Sequence, residues 1–266
     1  MIAQILSHLP EDFPWRDRIH WHDTVESTNT LAKKMASTGA PHGTVILADR
    51  QTAGRGRLGR SFHSPRNMGV YMSVILRPKC QPAGIMHLTC AAAVAMCDAV
   101  SACTGFLPRI KWTNDLVYQG RKIAGILTEL ATDRATGDVD YVIVGVGINC
   151  NQKIEDFPPD IQGFAGSLSM FADAPVDRSA VVAAMLQSLL QMDASLLTEK
   201  AAVMDAYARN CLTIGSDISI LRGDTLDHGT AVGITPDGAL LVRMPDGRME
   251  HINSGEVSIR GMYGYL

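Results

Sequence analysis

The densest chemistry in the sequence is the run Gln51-Thr52-Ala53-Gly54-Arg55-Gly56-Arg57-Leu58-Gly59-Arg60, in which arginines alternate with glycines directly after an apolar segment. Glycine has no side chain to hold the backbone away from a ligand, and it reaches positive φ without strain. Successive backbone N–H groups in such a loop form a concave anion site. Each guanidinium adds a permanent charge on a planar fork that matches carboxylate and phosphate. The run therefore suits a substrate that carries both groups. It lacks the Lys-Ser/Thr ending of a Walker phosphate loop. The plainer alternative is an exposed basic loop, or an RGG-like contact to nucleic acid.

Three further segments carry chemical side chains. In Lys111-Trp112-Thr113-Asn114-Asp115, an Asn-Asp pair closes a strand and can orient hydrated Mg²⁺, which takes one or two carboxylates together with phosphate oxygens. Lys122 opens the next strand, Lys122-Ile123-Ala124-Gly125-Ile126-Leu127-Thr128-Glu129, where it can stabilise charge on an α-phosphate and a reacting carboxylate. Gly125 inside that strand signals close approach of something to the backbone. The competing reading is a simple turn followed by a solvated edge lysine. The strand Tyr141–Ile148 carries Gly145 and Gly147 and runs on into Asn149 and Asn151, a weak nucleotide signal without a third glycine or a helix start. Glu26-Ser27-Thr28-Asn29 supplies hydroxyls and an amide at a helix start, where an ordinary N-cap is the competing reading.

Taken in order, Ser27-Thr28-Asn29, Gly54-Arg55-Gly56-Arg57-Leu58-Gly59-Arg60, Lys111-Trp112-Thr113-Asn114-Asp115-Leu116, Lys122 to Glu129 and Gly145-Val146-Gly147-Ile148-Asn149 resemble the biotin–protein ligase family, over about residues 20–262. The tail Ser254 to Arg260 is similar to the family's small C-terminal barrel. The resemblance implies an α+β fold: a mixed, largely antiparallel sheet backed by helices, of the class II synthetase-like biotin/lipoate ligase type, with an SH3-like β-barrel after it. It implies biotin and ATP as substrates with Mg²⁺, formation of biotinyl-5'-AMP and pyrophosphate, and transfer of biotin to a lysine of a biotin carboxyl carrier protein or domain. It places the biotin ureido ring near Ser27, Thr28, Asn29 and Gln51, and close backbone approach at Gly125, Leu127, Gly145 and Gly147. Gly54, Arg55, Gly56 and Arg57 match the loop that closes over biotin and the adenylate, and Arg60 matches a phosphate contact. Lys122 matches the lysine at the carboxyl/phosphate junction, Asn114 and Asp115 match positions for Mg²⁺–ATP and acceptor activation, and Asn149 is similar to the adenine contact. The implied catalytic set is Lys122, Arg57 and Asp115, with Asp115 also the candidate Mg²⁺ ligand.

The sequence departs from the family at two of these positions. Thr113 stands where the family usually has Pro, which bears on loop rigidity rather than chemistry, and Phe62 stands where an indole is common, which keeps an apolar cover but loses the N–H donor. Two other classes compete: a lipoate–protein ligase or octanoyl transferase, and a non-enzymatic nucleic-acid binder using the arginine loop. The Gly/Arg run with its C-terminal barrel speaks against the first. Against the second stand a net charge of -3 and the lack of a helix-turn-helix or stacking-aromatic motif.

The elements that must position these residues follow from patterning. Residues 1–18 read as a short lead-in, and a strand begins at His20–Asp23. A helix runs from Ser27-Thr28-Asn29 to about Gly39, and strands are expected over Thr44–Ala48 and Gly69–Leu76. Residues 84–103 form an Ala-rich helix. Arg109–Thr113, Asp115–Tyr118, Lys122–Ala131 and Tyr141–Ile148 then form an antiparallel meander rather than a βαβ repeat. Residues 152–167 read as a mobile loop, and Asp177 to about Asn210 as helical. Short strands over Ile218–Leu221, Thr230–Ile234, Ala239–Arg243 and Glu256–Arg260, separated by turns such as Gly223-Asp224, suggest a small barrel. This puts a catalytic biotin/ATP-binding domain at 1–210 and a barrel domain at 211–266.

Composition closes off several classes. At 46% hydrophobic and 19% charged the 266 residues can bury a sizeable core, and the net charge excludes a global field for nucleic acid. The six cysteines show no CxxC spacing and read as reduced thiols of a cytoplasmic protein. The N-terminus has no signal-peptide pattern, and the apolar window Met86–Leu107 is interrupted by His87, Asp98 and Ser101, as in a core helix rather than a membrane span. About 20 residues precede the matching region, too few for the helix-turn-helix domain of some relatives, so the expectation is a monofunctional ligase that binds neither DNA nor membrane. Edge strands leave a homodimer open.

Overall fold

Alternation along two neighbouring strands organises the fold. The structure, a computed structural model, describes residues 1–172, 174–222, 225–253 and 256–259. A seven-stranded sheet runs in the order β1 (Ile19–Val25), β2 (Thr44–Gln51), β3 (Gly69–Leu76), β7 (Val139–Asn149), β6 (Arg121–Thr132), β5 (Asp115–Tyr118) and β4 (Arg109–Lys111). Only β1 and β2 pair in parallel; the remaining ladders are antiparallel. The even-numbered residues Val70, Met72, Val74 and Leu76 of β3 and Val142, Val144, Val146 and Ile148 of β7 join the main core. Helices α3 (Leu88–Thr104) and α4 (Arg178–Ser195) pack on that face. Successive strand side chains point to opposite faces, so the odd-numbered residues line the other face. There Ile75, Tyr141 and Ile143 pack under α2 (Thr28–Ser37) through Ala32 and Ala36. Toward the first turn of α2 the same rows continue as Ser73, Gly145, Gly147 and Gly125. Bulk disappears there, and a trough opens.

The helical stretch Pro82–Thr104 that ends in α3 is long and apolar enough to cross a membrane by composition, yet most of it is buried, with α3 packed between the sheet and α4. The Thr89 and Thr128 hydroxyls, 2.6 Å apart, tie it to β6. Gly105, at φ 77°, ends it in the left-handed conformation that a side chain resists. Helix α4 starts at an Asp177 cap whose carboxylate accepts the Ser179 N–H at 2.8 Å.

Three sequence expectations change. The segment 177–210 is two helices, because α5 (Lys200–Asn210) begins only after a break: the Leu196 carbonyl accepts from His87 Nε2 at 3.1 Å instead of continuing the helical ladder. Residues 1–18 are more than a lead-in. They form α1 (Ile2–His8) and a turn that bury Ile5, Leu9, Phe13 and Trp15, with α1 packed on α4 and Trp15 filling the space above Gly43. Residues 152–167 are stitched to the sheet. Lys122 N–H donates to Phe164 O at 2.7 Å, Gly166 N–H donates to Lys122 O at 2.9 Å, and Ser167 Oγ donates to Gln152 O at 2.6 Å.

A second, five-stranded antiparallel sheet has the order β11 (Met249–Ile252), β10 (Leu240–Arg243), β9 (Thr225–Ile234), β8 (Asp217–Arg222) and β12 (Glu256–Ile259). The strand β11, half of it polar, was not expected from sequence. The turn Gly223-Asp224 and residues Ser254, Gly255 and Arg260 of the matching tail lie outside the described residues. This sheet is joined to the first beside the 112–114 turn: Leu212 N–H donates to Ile110 O, Trp112 N–H donates to Thr213 Oγ1 and Trp112 Nε1 donates to Gly238 O, each at 2.9 Å.

His87 offers a test of the packing behind α3. Its ring is fully buried, Nε2 must carry the proton it gives to Leu196, and burial lowers its pKa from the ordinary 6.5. The unfolded chain then binds the extra proton first as pH falls through about 6.5, so stability is lost on acidification. Thermal unfolding at pH 7.5 and 5.5 should show a larger drop in melting temperature for the parent than for His87→Gln. Equal drops would show that His87 does not contribute.

Candidate functional site

The trough deepens into a cleft of about 640 Å³. One end is a polar floor at the start of α2. Thr28 N–H donates to Gln51 Oε1 at 2.8 Å, and the Thr28 hydroxyl lies 3.1 Å from the same oxygen. Gln51 thus serves the helix end, and Ser27 makes no side-chain cap bond, contrary to the plain capping alternative. Gln51 Nε2 donates to Ser64 Oγ at 2.9 Å, which fixes the orientation of the amide. Asn29 Nδ2 donates to Leu127 O at 3.2 Å and to Glu129 Oε2 at 3.0 Å, while its Oδ1 accepts from Ser73 Oγ at 2.7 Å. Both amide protons of Asn29 are thereby used within the protein. Its part is to form the floor, and the hydroxyls of Ser27 and Thr28 stand nearer the role of ligand contacts.

The middle of the cleft is bare backbone. Gly125 and Gly147 are cross-strand partners, and Gly145 is paired with Leu127 on one side and Ser73 on the other. A methyl on Gly145 would overlap Asn29 Oδ1, and one on Gly147 would lie 2.5 Å from the Phe62 ring. Phe62 lies over this floor, edge-on to Tyr71 with ring centroids 6.4 Å apart. Burial pushes the Tyr71 hydroxyl well above its ordinary pKa, and that hydroxyl donates to Pro65 O at 2.9 Å, so it is a structural support for the wall.

The Gly/Arg run is a small ordered hairpin over the opening. Gly56 N–H donates to Arg60 O at 2.7 Å and Phe62 N–H donates to Gly54 O at 2.8 Å, with Leu58 at φ 54° in the turn. Arg57 Nη1 donates to Asn114 Oδ1 at 3.2 Å, and Asn114 is itself held by Ile126 through bonds of 2.8 and 3.0 Å. Burial lowers the Arg57 pKa, opposed by the nearby Asp115 carboxylate. Lys122 Nζ sits 2.6 Å from Asp115 Oδ1, both partly buried. Two cations, a carboxylate and an amide therefore converge at the end of the cleft opposite Gln51.

The structure brings nearly all the sequence-derived site residues to this one cleft: Ser27, Thr28, Asn29, Gln51, Arg55, Gly56, Arg57, Arg60, Asn114, Asp115, Lys122, Gly125, Leu127, Gly145, Gly147 and Asn149 line it. Gly54 does not. It lies behind the hairpin against Phe62 O and Ser64 Oγ, where a Cβ has no room, so its contribution is to hairpin closure. Asn149 lines the cleft but is committed to the 152–167 segment, donating to Gly166 O at 2.9 Å and accepting from Gln152 Nε2 at 3.2 Å. Ser73, Ser64 and Glu129 were missed as site residues. Ser73 carried a readable signal, as the one serine in the apolar strand Gly69–Leu76. Among the described residues no group of three or more His, Cys, Asp or Glu side chains could hold a metal ion.

Comparison with known proteins agrees with this geometry. Residues 21–149 match the biotin/lipoate A/B protein ligase family, and residues 213–260 match the biotin protein ligase C-terminal domain. The chain is 36% identical over 246 residues to the bifunctional ligase/repressor BirA of Bacillus subtilis, covering 90% of this chain and 73% of that protein. It is 31% identical over 249 residues to a biotin–[acetyl-CoA-carboxylase] ligase of Paracoccus denitrificans, covering 89% of this chain and 98% of the relative. The biotin protein ligase of Aquifex aeolicus, solved in complex with biotin and ATP, superposes with a TM-score of 0.77 at 29% identity, over 91% of this chain and 98% of that one. The fold is thus that of a biotin or lipoate ligase. Within that class, the chain belongs to the biotin protein ligase family.

The floor makes a direct prediction. Gly145→Ala forces its methyl into Asn29 Oδ1 on a strand paired along both edges. Overpacking of this kind costs about 1–3 kcal/mol. Chemical denaturation should register that loss, and an unchanged midpoint would show that Asn29 is free to move aside.

Proposed function

We propose that this chain is a biotin–protein ligase whose single cleft carries out both adenylation and transfer. The observation that carries the reading is the gradation along the cleft, from neutral hydroxyls and an amide at Ser27, Thr28 and Gln51, through the glycine floor, to Arg57, Lys122 and Asp115. A neutral ureido ring is met by the first group. An apolar chain lies along Leu127 at the edge of the glycine floor, beside the Phe62 ring that rests on Gly147, and a carboxylate reaches the cations. The proposed division of labour is a catalytic unit over 1–210 with a C-terminal domain over 211–266 packed beside the 112–114 turn.

In the first step the biotin carboxylate attacks the α-phosphorus of ATP in line and pyrophosphate leaves. Lys122, Arg57 and Arg60 offset the charge that accumulates on the transferring group. No enzyme nucleophile is required. Magnesium enters with the nucleotide: Asp115 offers one carboxylate, already paired with Lys122, so phosphate oxygens and water supply most of its ligands. When phosphate takes Lys122, Asp115 is released from the pair. The Gly/Arg hairpin covers the mixed anhydride and keeps water from it. In the second step a neutral lysine amine of a biotin carboxyl carrier domain attacks the acyl carbon and AMP leaves, with Asp115 helping to take the proton. A cytoplasmic location fits these substrates.

Mass spectrometry of an acceptor domain incubated with the chain, biotin and MgATP should show one biotin added to one lysine. Lys122→Ala should slow adenylate formation by about 10²–10³-fold. Asp115→Asn should slow transfer from preformed adenylate by at least about tenfold, on the scale of a lost general base. A lipoyl group added in place of biotin would keep the fold assignment and overturn the pocket assignment.

A further inference from the structure

The mechanism above leaves one partly buried anion beside the cleft unexplained. Glu129 lies on the site face of β6, two residues beyond Leu127, with its side chain only 17% exposed. Both of its oxygens are occupied. Oε2 accepts from Asn29 Nδ2 at 3.0 Å, and Arg55 Nη1 lies 3.2 Å from Oε1 and 3.3 Å from Oε2. Lys33 of α2 adds a longer contact of 3.7 Å to Oε1. One carboxylate thus touches the amide that builds the floor and the first arginine of the hairpin that covers it.

We propose that Glu129 is a positioning residue: it fastens the Gly/Arg hairpin to the sheet through Arg55 and at the same time fixes the orientation of Asn29. Arg55 stands where the hairpin begins, bridged to Ser61 across it. Another side-chain anchor on this hairpin, Arg57 to Asn114, pairs a cation with a neutral amide, whereas Arg55, itself about half exposed, meets the full charge of a carboxylate that is 17% exposed. Hydrogen bonds between charged partners are the stronger kind. The Glu129 contact therefore controls how often the hairpin opens. It also accounts for a side chain that the reaction itself has no use for. A glutamine at this position still offers an oxygen to Asn29 but turns its NH₂ toward Arg55. An alanine gives up both contacts. The two variants separate hairpin fastening from floor geometry.

The effect on biotin rests on the function proposed above, while the effect on the hairpin does not. Limited trypsin digestion of the ligand-free chain, with the peptides quantified by mass spectrometry, reads hairpin opening as cleavage after Arg57 and Arg60. Cleavage after Arg134, in the exposed turn 133–138, serves as the internal control. Glu129→Gln and Arg55→Gln should each speed cleavage after Arg57 by about two- to fivefold, the scale of a half-exposed ion pair, with Arg134 unchanged. The double variant should be no faster than either single one, because both remove the same contact. Additive rates, no acceleration, or an equal rise at Arg134 would overturn the proposal. Arg55→Gln alone decides it if Glu129→Gln does not fold. Calorimetric titration with biotin should show at least a tenfold loss for Glu129→Ala and a smaller one for Glu129→Gln. If the parent chain binds no biotin the functional assignment fails, and the hairpin result is judged independently by the protease rates.

Discussion

Everything at the site depends on two adjacent strands showing bulk to one face and almost nothing to the other. β6 and β7 bury Ala124, Ile126, Val144, Val146 and Ile148 against the helices, while Gly125, Gly145 and Gly147 meet on the reverse. A one-residue slip in their register would exchange these faces, filling the cleft with branched side chains and hollowing the core. The long ladders from Ala124↔Ile148 to Leu130↔Val142 and from Gly69↔Asn149 to Leu76↔Val142 hold that register. The core and the cleft are consequences of the same pairing. Glycine weakens a strand, and the cost is borne here by β7, which has a neighbour on each edge to compensate.

A glycine floor exposes polar backbone beside a buried helix start, and each of those groups needs a partner. The Ser73, Thr28, Asn29, Gln51 and Ser64 chain meets that need without water. Its directions are set by chemistry. An amide oxygen only accepts, so Ser73 must give its proton to Asn29, and Thr28 is left to donate toward Gln51 or Ser73. A network with fixed donors and acceptors recognises a neutral ring of complementary pattern and rejects one that leaves a member unpaired. The same fixing makes Gly145 intolerant of any side chain.

Much of this was legible before the structure because the motifs themselves encode the physics. Alternating Gly and Arg announces close backbone approach with planar cations, and the run of the meander follows from turn spacing. The boundaries of β3 were recovered from its apolar run alone. What escaped was tertiary in origin. The break between α4 and α5 requires a histidine over a hundred residues away to capture a carbonyl. The burial of α1 depends on a groove that α4 provides, and β11, with polar residues and an exposed methionine, exists only because β10 lies beside it. The family resemblance places Asn29 beside the ligand's ring, whereas its type and place alone suit a helix cap. Its partners, Leu127 O and Glu129, sit about a hundred residues on, and only folding shows that its donors are already taken.

The cleft also resolves a conflict in storing several cations in a small volume. Arg55, Arg57 and Lys122 repel one another in a partly desolvated space, which would open the hairpin unless each were compensated. Each has its own holder: Glu129 for Arg55, Asn114 for Arg57 and Asp115 for Lys122. The holders differ in kind, and so does the ease of exchange. An incoming anion can take Arg57 from a neutral amide at little cost. Taking Lys122 means replacing one carboxylate by another oxygen anion of similar strength, which leaves Asp115 uncompensated unless a metal or an ammonium group arrives. A substrate that brings its own divalent cation satisfies both halves of the broken pair, whereas a bare carboxylate satisfies only one. The electrostatics of the cleft thus favour a metal-chelated polyphosphate over simple anions at the Lys122 end, through charge balance.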